Sequence, residues 1–435
     1  MNIGDFQNKK ILVMGLGIHG GGLGVANFFS KIGANVTVTD LKTRKELMTS
    51  IKQLLGHPRL VLGQHNLVDF LKADLIVKNP GVPAESRFLA AARQVNVPIE
   101  MESSLFFMLS PSRNIIGVTG TKGKTTTTLL IGVILEKSGK DVKVAGNLRI
   151  SMLDLIPYIK KDTWLVLELS SWQLEGLSER KLSPHIAVLT NIYHDHLNRY
   201  KTFADYVEAK KNIFKFQKPS DFLITKKDLA EVVKGAKSKV ILFSVKETSM
   251  ETLSGSRLIG LHNLENIACA METAKIIGIN EKVVGEALKD FSVPDRLEEI
   301  RILDGVRFVN DTTATAPNAV IAALSSFSNA LILICGGADK NLDFSQMAES
   351  VNRKVKKVIF LDGSATPKIA KLVNRKLVIG QFSNLRKAVN KAWGAAGAGD
   401  VILLSPGCAS FGMFLNEFDR GEQFKKIVSE LKSKT

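Results

Sequence analysis

Cysteine is nearly absent. Cys269, Cys335 and Cys408 are the only three in 435 residues, and no CxxC pair occurs. An odd, scattered set of this kind excludes a disulfide framework and points to a reducing, cytoplasmic setting. Long apolar runs are missing too: no stretch approaches 18 uncharged apolar residues, so no membrane-spanning helix and no membrane insertion are expected. The opening MNIGDFQNKKILVMGLG carries Asp5 and runs straight into a glycine loop without a small-residue cleavage site, which is unlike a secretory signal. Low-complexity tracts and internal repeats are also lacking.

What is present is ordinary for a folded chain, with 45% apolar and 23% charged residues. The length suggests about three domains. The charge is less ordinary, with 59 Lys and Arg against 42 Asp and Glu, a formal +17. Such a surplus suits nucleic acid, an anionic membrane or acidic small substrates. The lysines are scattered, however, and no RNP, zinc-finger or basic-helix pattern accompanies them, so no nucleic-acid partner is expected.

Three successive segments alternate short β-rich runs with amphipathic stretches, which predicts parallel sheets covered by helices. In the first, KKILVMG, NVTVTD and ADLIVKNPG read as strands and Val25 to Ile32 as a helix. The second runs from SRNIIGVTG through LVLEL, HIAVLTN and DFLIT to KVILFS. The third holds VRFVN, ALILICGG, KKVIFLDG, KLVIG and GDVILLSPG. Turn-rich breaks near Leu109–Arg113 and Ser292–Asp295 give domains of 1–110, 111–295 and 296–435. The expected class is α/β: an N-terminal Rossmann-like domain, a central P-loop ATPase-like domain with a mostly parallel sheet, and a C-terminal Rossmann-like domain.

Gly15-Leu-Gly17-Ile-His-Gly20 follows a strand and opens a helix, and Asp40 closes the next strand. This is a dinucleotide-binding spacing, in which glycines let the backbone approach a diphosphate and an acid meets a ribose hydroxyl. By itself it fits an NAD enzyme as well as any other nucleotide binder. A sharper signal is GVTGTKGKTTTT at 117–128, between the strand NIIGV and the helix LLIGVILEK. Gly120, Thr121, Lys122, Gly123, Lys124, Thr125 and Thr126 form a variant phosphate loop. Its backbone N–H groups would cradle phosphate oxygens, Lys124 would reach the outer phosphates, and the Thr125 hydroxyl would bind Mg²⁺. Glu168, at the end of WLVLEL, is placed to serve the same metal. His194-Asp195-His196 ends a further strand, with no third ligand at structural-zinc spacing. Lys210 and Lys211 fall on a helix, where a solvated basic face is the default reading. An NAD-dependent oxidoreductase accounts for the first glycine loop but not for the phosphate loop, Glu168 or the histidines.

GTKGKT, ELSSWQLE, NIYHDHLN, YVEAK, GLHNLENIACA and DRLE follow one another in the order of the Mur ligases, and the chain resembles that family over essentially its whole length. These are the ATP-dependent amide-forming enzymes of peptidoglycan precursor synthesis. The closing LLSPGCASFGMFLNEFDRGEQF, ELSSWQLE and the first glycine loop are most similar to the glutamate-adding member. The resemblance implies that Gly15, Gly17, Asp40 and the Asn79-Pro80-Gly81 turn hold the UDP part of a substrate, UDP-N-acetylmuramoyl-L-alanine. Asn147, Ser170 and Gln173 would contact its muramoyl-alanine end. Lys124, Glu168, His196 and Lys210 would carry the catalysis. Thr125, Glu168, His196 and a carbamylated Lys210 would hold two Mg²⁺ ions. ATP would also meet Asn263 and Asn266 on its adenine side, and Arg296 and Asp311. Thr315, Lys340, Ser410, Phe411 and Phe418 would receive glutamate. A cytoplasmic monomer is implied. Two positions depart from the family pattern, since Thr313 stands where a lysine is usual and Arg149 where a glycine is usual. Both D- and L-glutamate therefore stay open at this point, as does another member of the family.

Overall fold

Short runs of β-branched and apolar residues, unbroken by charge, bury both faces of a strand, and most such runs in this chain become central strands of parallel sheets. The computed structural model describes residues 2–17, 21–83, 85–148, 150–194, 199–245, 258 and 261–434. The first sheet comprises β1 (Lys10–Met14), β2 (Asn35–Asp40), β3 (Arg59–Leu62), β4 (Leu75–Lys78) and β5 (Ile99–Glu100), in the order β3-β2-β1-β4-β5. All of its pairings are parallel, and the strand order reverses between β1 and β4. The second comprises β6 (Ile115–Thr119), β7 (Val142–Gly146), β8 (Trp164–Glu168), β9 (Ile186–Leu189), β10 (Phe222–Lys226) and β11 (Lys239–Phe243). Its order is β11-β10-β9-β6-β8-β7, again parallel throughout. The third comprises β12 (Glu298–Leu303), β13 (Val306–Asn310), β14 (Leu331–Cys335), β15 (Val355–Leu361), β16 (Val378–Phe382) and β17 (Val401–Leu404). It runs β12-β13-β17-β14-β15-β16, with β12 alone antiparallel to its neighbour. The α/β class with mostly parallel sheets is as expected from the sequence.

Four strands escape a reading by apolar runs: β3, β5, β7 and β12. Each is an edge strand in its sheet. An edge strand is wetted on one side, so its sequence has no need of a continuous apolar run. β12, for example, mixes intermediate and exposed residues and has no buried one (EEIRIL).

The chain divides into two compact units. Residues 1–255 with 264–288 form one, and residues 256–263 with 289–435 form the other. The first unit holds the first two sheets. One buried cluster passes between them, including Val13, Phe29, Leu105, Phe106, Leu167 and Leu174. Each such side chain contributes about 1.5–3 kcal/mol relative to its exposed state. Polar contacts fix the same junction. Ser103 Oγ donates to the Gln173 carbonyl at 2.9 Å, Ser151 Oγ to Glu102 Oε1 at 2.6 Å, and Arg180 Nε to Glu100 Oε1 at 2.5 Å. The second unit packs the third sheet between two buried clusters, one on each face.

Candidate active site around the phosphate loop

The phosphate loop leaves β6 at the centre of the second sheet, between β8 and β9. Three strand ends therefore deliver side chains to one place. The helix Lys124–Lys137 starts directly from the loop, with Gly123 as its N-cap at φ +82. A Cβ at Gly123 would meet Asn266 Oδ1 at 2.2 Å, so only glycine allows both the left-handed backbone and this close approach. The same Asn266 oxygen accepts from Thr127 Oγ1 at 3.3 Å, which brings the predicted adenine-side asparagine to the loop. Asn263 is also buried.

From β8 comes Glu168, 2% exposed. Thr125 Oγ1 donates to its Oε2 at 2.7 Å and Asn147 Nδ2 to its Oε1 at 3.0 Å. Three residues predicted from separate motifs thus form one polar cluster. From β9 comes Asn191, which was not singled out as a site residue. Its Oδ1 accepts from the Lys122 N–H at 2.8 Å and its Nδ2 donates to the Lys122 carbonyl at 3.0 Å, so it fixes the crown of the loop. Lys124 Nζ donates to the carbonyls of Gly120 and Thr121 at 3.0 and 3.1 Å.

Lys210 overturns the default of a solvated basic face. It lies on the helix Phe203–Lys211, is 2% exposed, and donates from Nζ to the Gly120 carbonyl at 2.8 Å. Tyr206, one helical turn earlier, presents its ring 4.7 Å from the Lys210 nitrogen, and its hydroxyl meets Thr121 Oγ1 at 3.1 Å. Lys211 behaves as the default reading expects and pairs with Glu208 on the surface. The i, i+4 spacing of Tyr206 and Lys210 is the signal that could have shown both on one inward face. His194 stacks on Phe203 with ring centroids 4.0 Å apart. His196, like Asp195, Arg149 and Gly20, lies outside the described residues. Among the described residues no group of three or more His, Cys, Asp or Glu side chains is gathered for a metal.

In the first sheet the two predicted nucleotide turns adjoin. The Gly15 loop follows β1 and the Asn79-Pro80-Gly81 turn follows β4, at the carboxyl ends flanking the point where strand order reverses, the usual place for a ligand in such a sheet. A Cβ on Gly15 would lie 3.0 Å from Asn79 Cβ. The carboxylate of Asp40 is spent on backbone N–H groups: Oδ2 accepts from Gly17 N–H of this loop at 3.2 Å and Oδ1 from Lys42 N–H, just after β2, at 2.9 Å. Asn79 Oδ1 likewise accepts from Gly81 N–H at 3.1 Å. Ser170 and Gln173 close a capping box at the start of the helix Ser171–Glu179, Gln173 Oε1 accepting from the Ser170 N–H and hydroxyl at 3.0 Å each.

The remaining predicted residues belong to the second compact unit. Asp311 is buried: Oδ1 accepts from Leu297 N–H at 3.2 Å and Oδ2 from Ser405 Oγ at 2.7 Å. Burial pushes its carboxyl up to about 7, against these hydrogen bonds and the charge of Arg296. Lys340 Nζ reaches Thr315 Oγ1 at 3.5 Å. Ser410 is buried, Phe418 is half-buried and Phe411 is 63% exposed. Thr313, in place of the usual lysine, donates from Oγ1 to the Asp295 carbonyl at 2.9 Å.

Comparison with known proteins agrees with this layout. Residues 9–100 match the Mur ligase MurD-like N-terminal domain, 118–274 the Mur ligase middle domain, and 295–408 the Mur ligase glutamate ligase domain. The UDP-N-acetylmuramoylalanine--D-glutamate ligase of Roseiflexus sp. (strain RS-1) is 46% identical over 98% of this chain and 99% of its own length. The ligase of the same name from Borreliella afzelii (strain PKo) is 37% identical over 99% of this chain and 100% of its own. Among solved structures, UDP-N-acetylmuramate-alanine ligase MurC from Thermotoga maritima shares the fold with a TM-score of 0.61 at 18% identity, covering 98% of this chain and 100% of that one. MurF ligase from Thermotoga maritima in complex with ADP has a TM-score of 0.58 at 18% identity, covering 91% and 95%. Phosphate loop, buried lysine and three matched domains lead to one conclusion: the chain is a member of the Mur ligase family, the ATP-dependent amide-forming ligases.

Proposed function

We propose that this ligase joins D-glutamate to UDP-N-acetylmuramoyl-L-alanine with ATP, in peptidoglycan precursor synthesis. The observation that carries the chemistry is the cluster at the phosphate loop, where Thr125, Glu168 and Asn147 bond one another and Lys210 is buried against the Gly120 carbonyl. The relatives named for D-glutamate, aligned over nearly the whole chain, support that amino acid over L-glutamate.

A carboxylate oxygen is a poor leaving group, so the alanyl carboxylate must be activated. In this reading its oxygen takes the γ-phosphoryl group of ATP, with release of ADP, to give an acyl phosphate. The amine of glutamate then attacks the carbonyl carbon, loses a proton, and the tetrahedral intermediate expels inorganic phosphate. Phosphoryl transfer is mostly positioning and neutralisation of charge. The loop N–H groups and Lys124 supply positive partners for the phosphates, and Lys124 exchanges its two loop carbonyls for phosphate oxygens. Asn147 steadies Glu168 and lies at the muramoyl-alanine end of the substrate.

The donor set fits Mg²⁺. Hydroxyl and carboxylate oxygens are hard ligands, and Thr125 and Glu168 already face one another across 2.7 Å. Thr125, Glu168 and His196 would hold the metal, which when bound offsets the charge of the phosphates. Lys210 joins them if its amine is carbamylated by CO₂, which replaces a cation by an anionic oxygen ligand and needs the neutral amine that burial favours. Arg296 and Asp311 are read as further ATP contacts, and Thr315, Lys340, Ser410, Phe411 and Phe418 as the glutamate pocket. A cytoplasmic monomer with domains of 1–110, 111–295 and 296–435 completes the reading.

The test is phosphate release from ATP by purified protein with UDP-N-acetylmuramoyl-L-alanine, offering D-glutamate and L-glutamate in separate reactions. Release with D-glutamate alone is expected. Release with neither ends the proposal, and release with L-glutamate alone changes its substrate.

A further inference from the structure

Each sheet ends in two edge strands, whose outer backbone N–H and C=O groups invite pairing with another chain. Five of the six edge strands carry charge: Arg59 in β3, Glu100 in β5, Lys143 in β7, Lys239 in β11, and Glu298, Glu299 and Arg301 in β12. The sixth, β16 (VIGQF), has neither a charged residue nor a proline. Charge and proline are the usual guards of an edge, and this one lacks both. It pairs with β15 on one side, in regular register over Gly380–Phe382, and among the described residues no strand lies on its other side.

Beside β16 lies a groove of about 640 Å³ that it shares with the helix Leu385–Ala395. Ile379, Phe382 and Ala395 line it with apolar surface, and all three are only half-buried. The Phe382 ring lies along the strand, so that a Cβ on Gly380 would stand 3.2 Å from it. On the helix, Lys387, Lys391 and Gly394 are spaced by four and three residues and share one face. Gly394 opens onto free space, since a Cβ there would meet nothing within 4 Å. Lys357 of β15 joins the two helix lysines at the groove, and no acid lines it. None of the three is paired with a carboxylate. Their chain neighbours Lys356 and Arg386 are paired, with Asp400 at 2.7 Å and Glu430 at 2.6 Å.

These features converge on one kind of occupant. An open strand edge accepts an extended backbone, and the groove beside it selects a side chain. Three lysines of one sign repel a second copy of the same face and attract acid. We propose that β16 is a docking edge for an acidic, extended segment of a partner protein. The segment pairs its backbone with Gly380–Phe382 and seats one apolar side chain in the groove against Phe382 and Gly394. Asp or Glu two positions before and after that side chain face Lys357, Lys387 and Lys391, because alternate residues of a strand share a face. None of these residues belongs to the candidate nucleotide or glutamate sites, so docking leaves the chemistry untouched.

The test is selection of displayed nine-residue random peptides on the full chain, then binding of the synthesised winner by fluorescence anisotropy. An apolar residue flanked at both second positions by Asp or Glu should be enriched. Lys387→Glu combined with Lys391→Glu should weaken the winner by about tenfold or more, as loss of close charge pairs does. Gly394→Leu, which fills the groove, should weaken it by a similar factor. Its melting temperature should hold or rise, because leucine is a better helix former than glycine. Amide exchange at Gly380–Phe382 should slow in the complex, the mark of pairing along the strand. Both variants should keep the wild-type kcat. If no acidic pattern is enriched, or the winner binds both variants as it binds wild type, the proposal fails. Binding without slowed exchange at Gly380–Phe382 also overturns it. Sedimentation with phosphatidylglycerol vesicles that the charge reversal abolishes, with no peptide selected, would make this face a membrane contact instead.

Discussion

The first two sheets each present a glycine loop between a strand and a helix, and the two loops differ in the charge gathered around them. Around the phosphate loop the polar side chains come from other strand ends: Glu168 from β8, Asn191 from β9, and Lys210 from a helix far along the chain. Around the Gly15 loop polar groups also come from neighbouring strand ends, Asp40 at the end of β2 and Asn79 after β4, but they are spent on backbone N–H groups. The first arrangement gathers charge at a point, as chemistry on phosphate requires. The second shapes a surface and leaves little reactive on it, which suits binding alone.

The widest gap between the loops should appear in turnover. Lys210→Ala and Glu168→Gln are expected to lower kcat by on the order of 10²–10³-fold while leaving UDP binding intact, since the proposed mechanism puts both at the reacting phosphate. Short-chain carboxylates should restore part of the activity of Lys210→Ala if a carbamate is the working form. Full activity of the unrescued variant would show that the buried lysine plays no such part.

A change to loop geometry should matter next. Gly123→Ala forces a Cβ onto a residue at φ +82 and against Asn266, at a cost of about 1–2 kcal/mol for the backbone alone. KM for ATP should rise about tenfold or more, with affinity for UDP unchanged. Asp40→Asn reverses the pattern: losing a charged acceptor for Gly17 and Lys42 should raise KM for the UDP-substrate by up to about tenfold and spare ATP. Should either substitution shift both constants together, the division of labour between the loops is wrong.

The smallest effect concerns pH and compares the two compact units. Glu102 in the first and Asp311 in the second are both pushed up to about 7 by burial. A carboxyl raised above its unfolded value binds a proton in the native state that the unfolded chain has released. Stability therefore falls as pH rises from about 4 to about 7, and is level above that. Glu102→Gln and Asp311→Asn should each flatten that decline by about one proton equivalent in urea melts across this range. An unchanged slope would mean that the acid is ionised in the folded protein.

Much of the candidate site was legible because its motifs are local. The phosphate loop, Glu168 after WLVLEL and the Asn79–Gly81 turn all stand where strand ends place them. Lys210 was legible only through resemblance, because a lysine on a charged helix has no local mark of burial. Tyr206 and Asn191 were missed as members of the site for a related reason: their contacts are to the loop, across 85 and 69 residues of chain. Lys78 reads as the polar end of an apolar strand, and nothing beside it in sequence reveals that its ammonium is enclosed.

The sequence by itself determined the parallel α/β class, which segments become the central strands and the positions of the glycine loops. Hydrophobic periodicity and glycine conformation are properties of neighbouring residues, so a linear text carries them. Only the tertiary structure decided which strands lie at the edges, which buried acids titrate near neutrality, and which lysines are enclosed. Those depend on the surroundings that distant segments build, through desolvation and the supply of hydrogen-bond partners. Lys210 and Lys78 are both buried lysines, and only the fold gives one a carbonyl to bond and leaves the other with no partner.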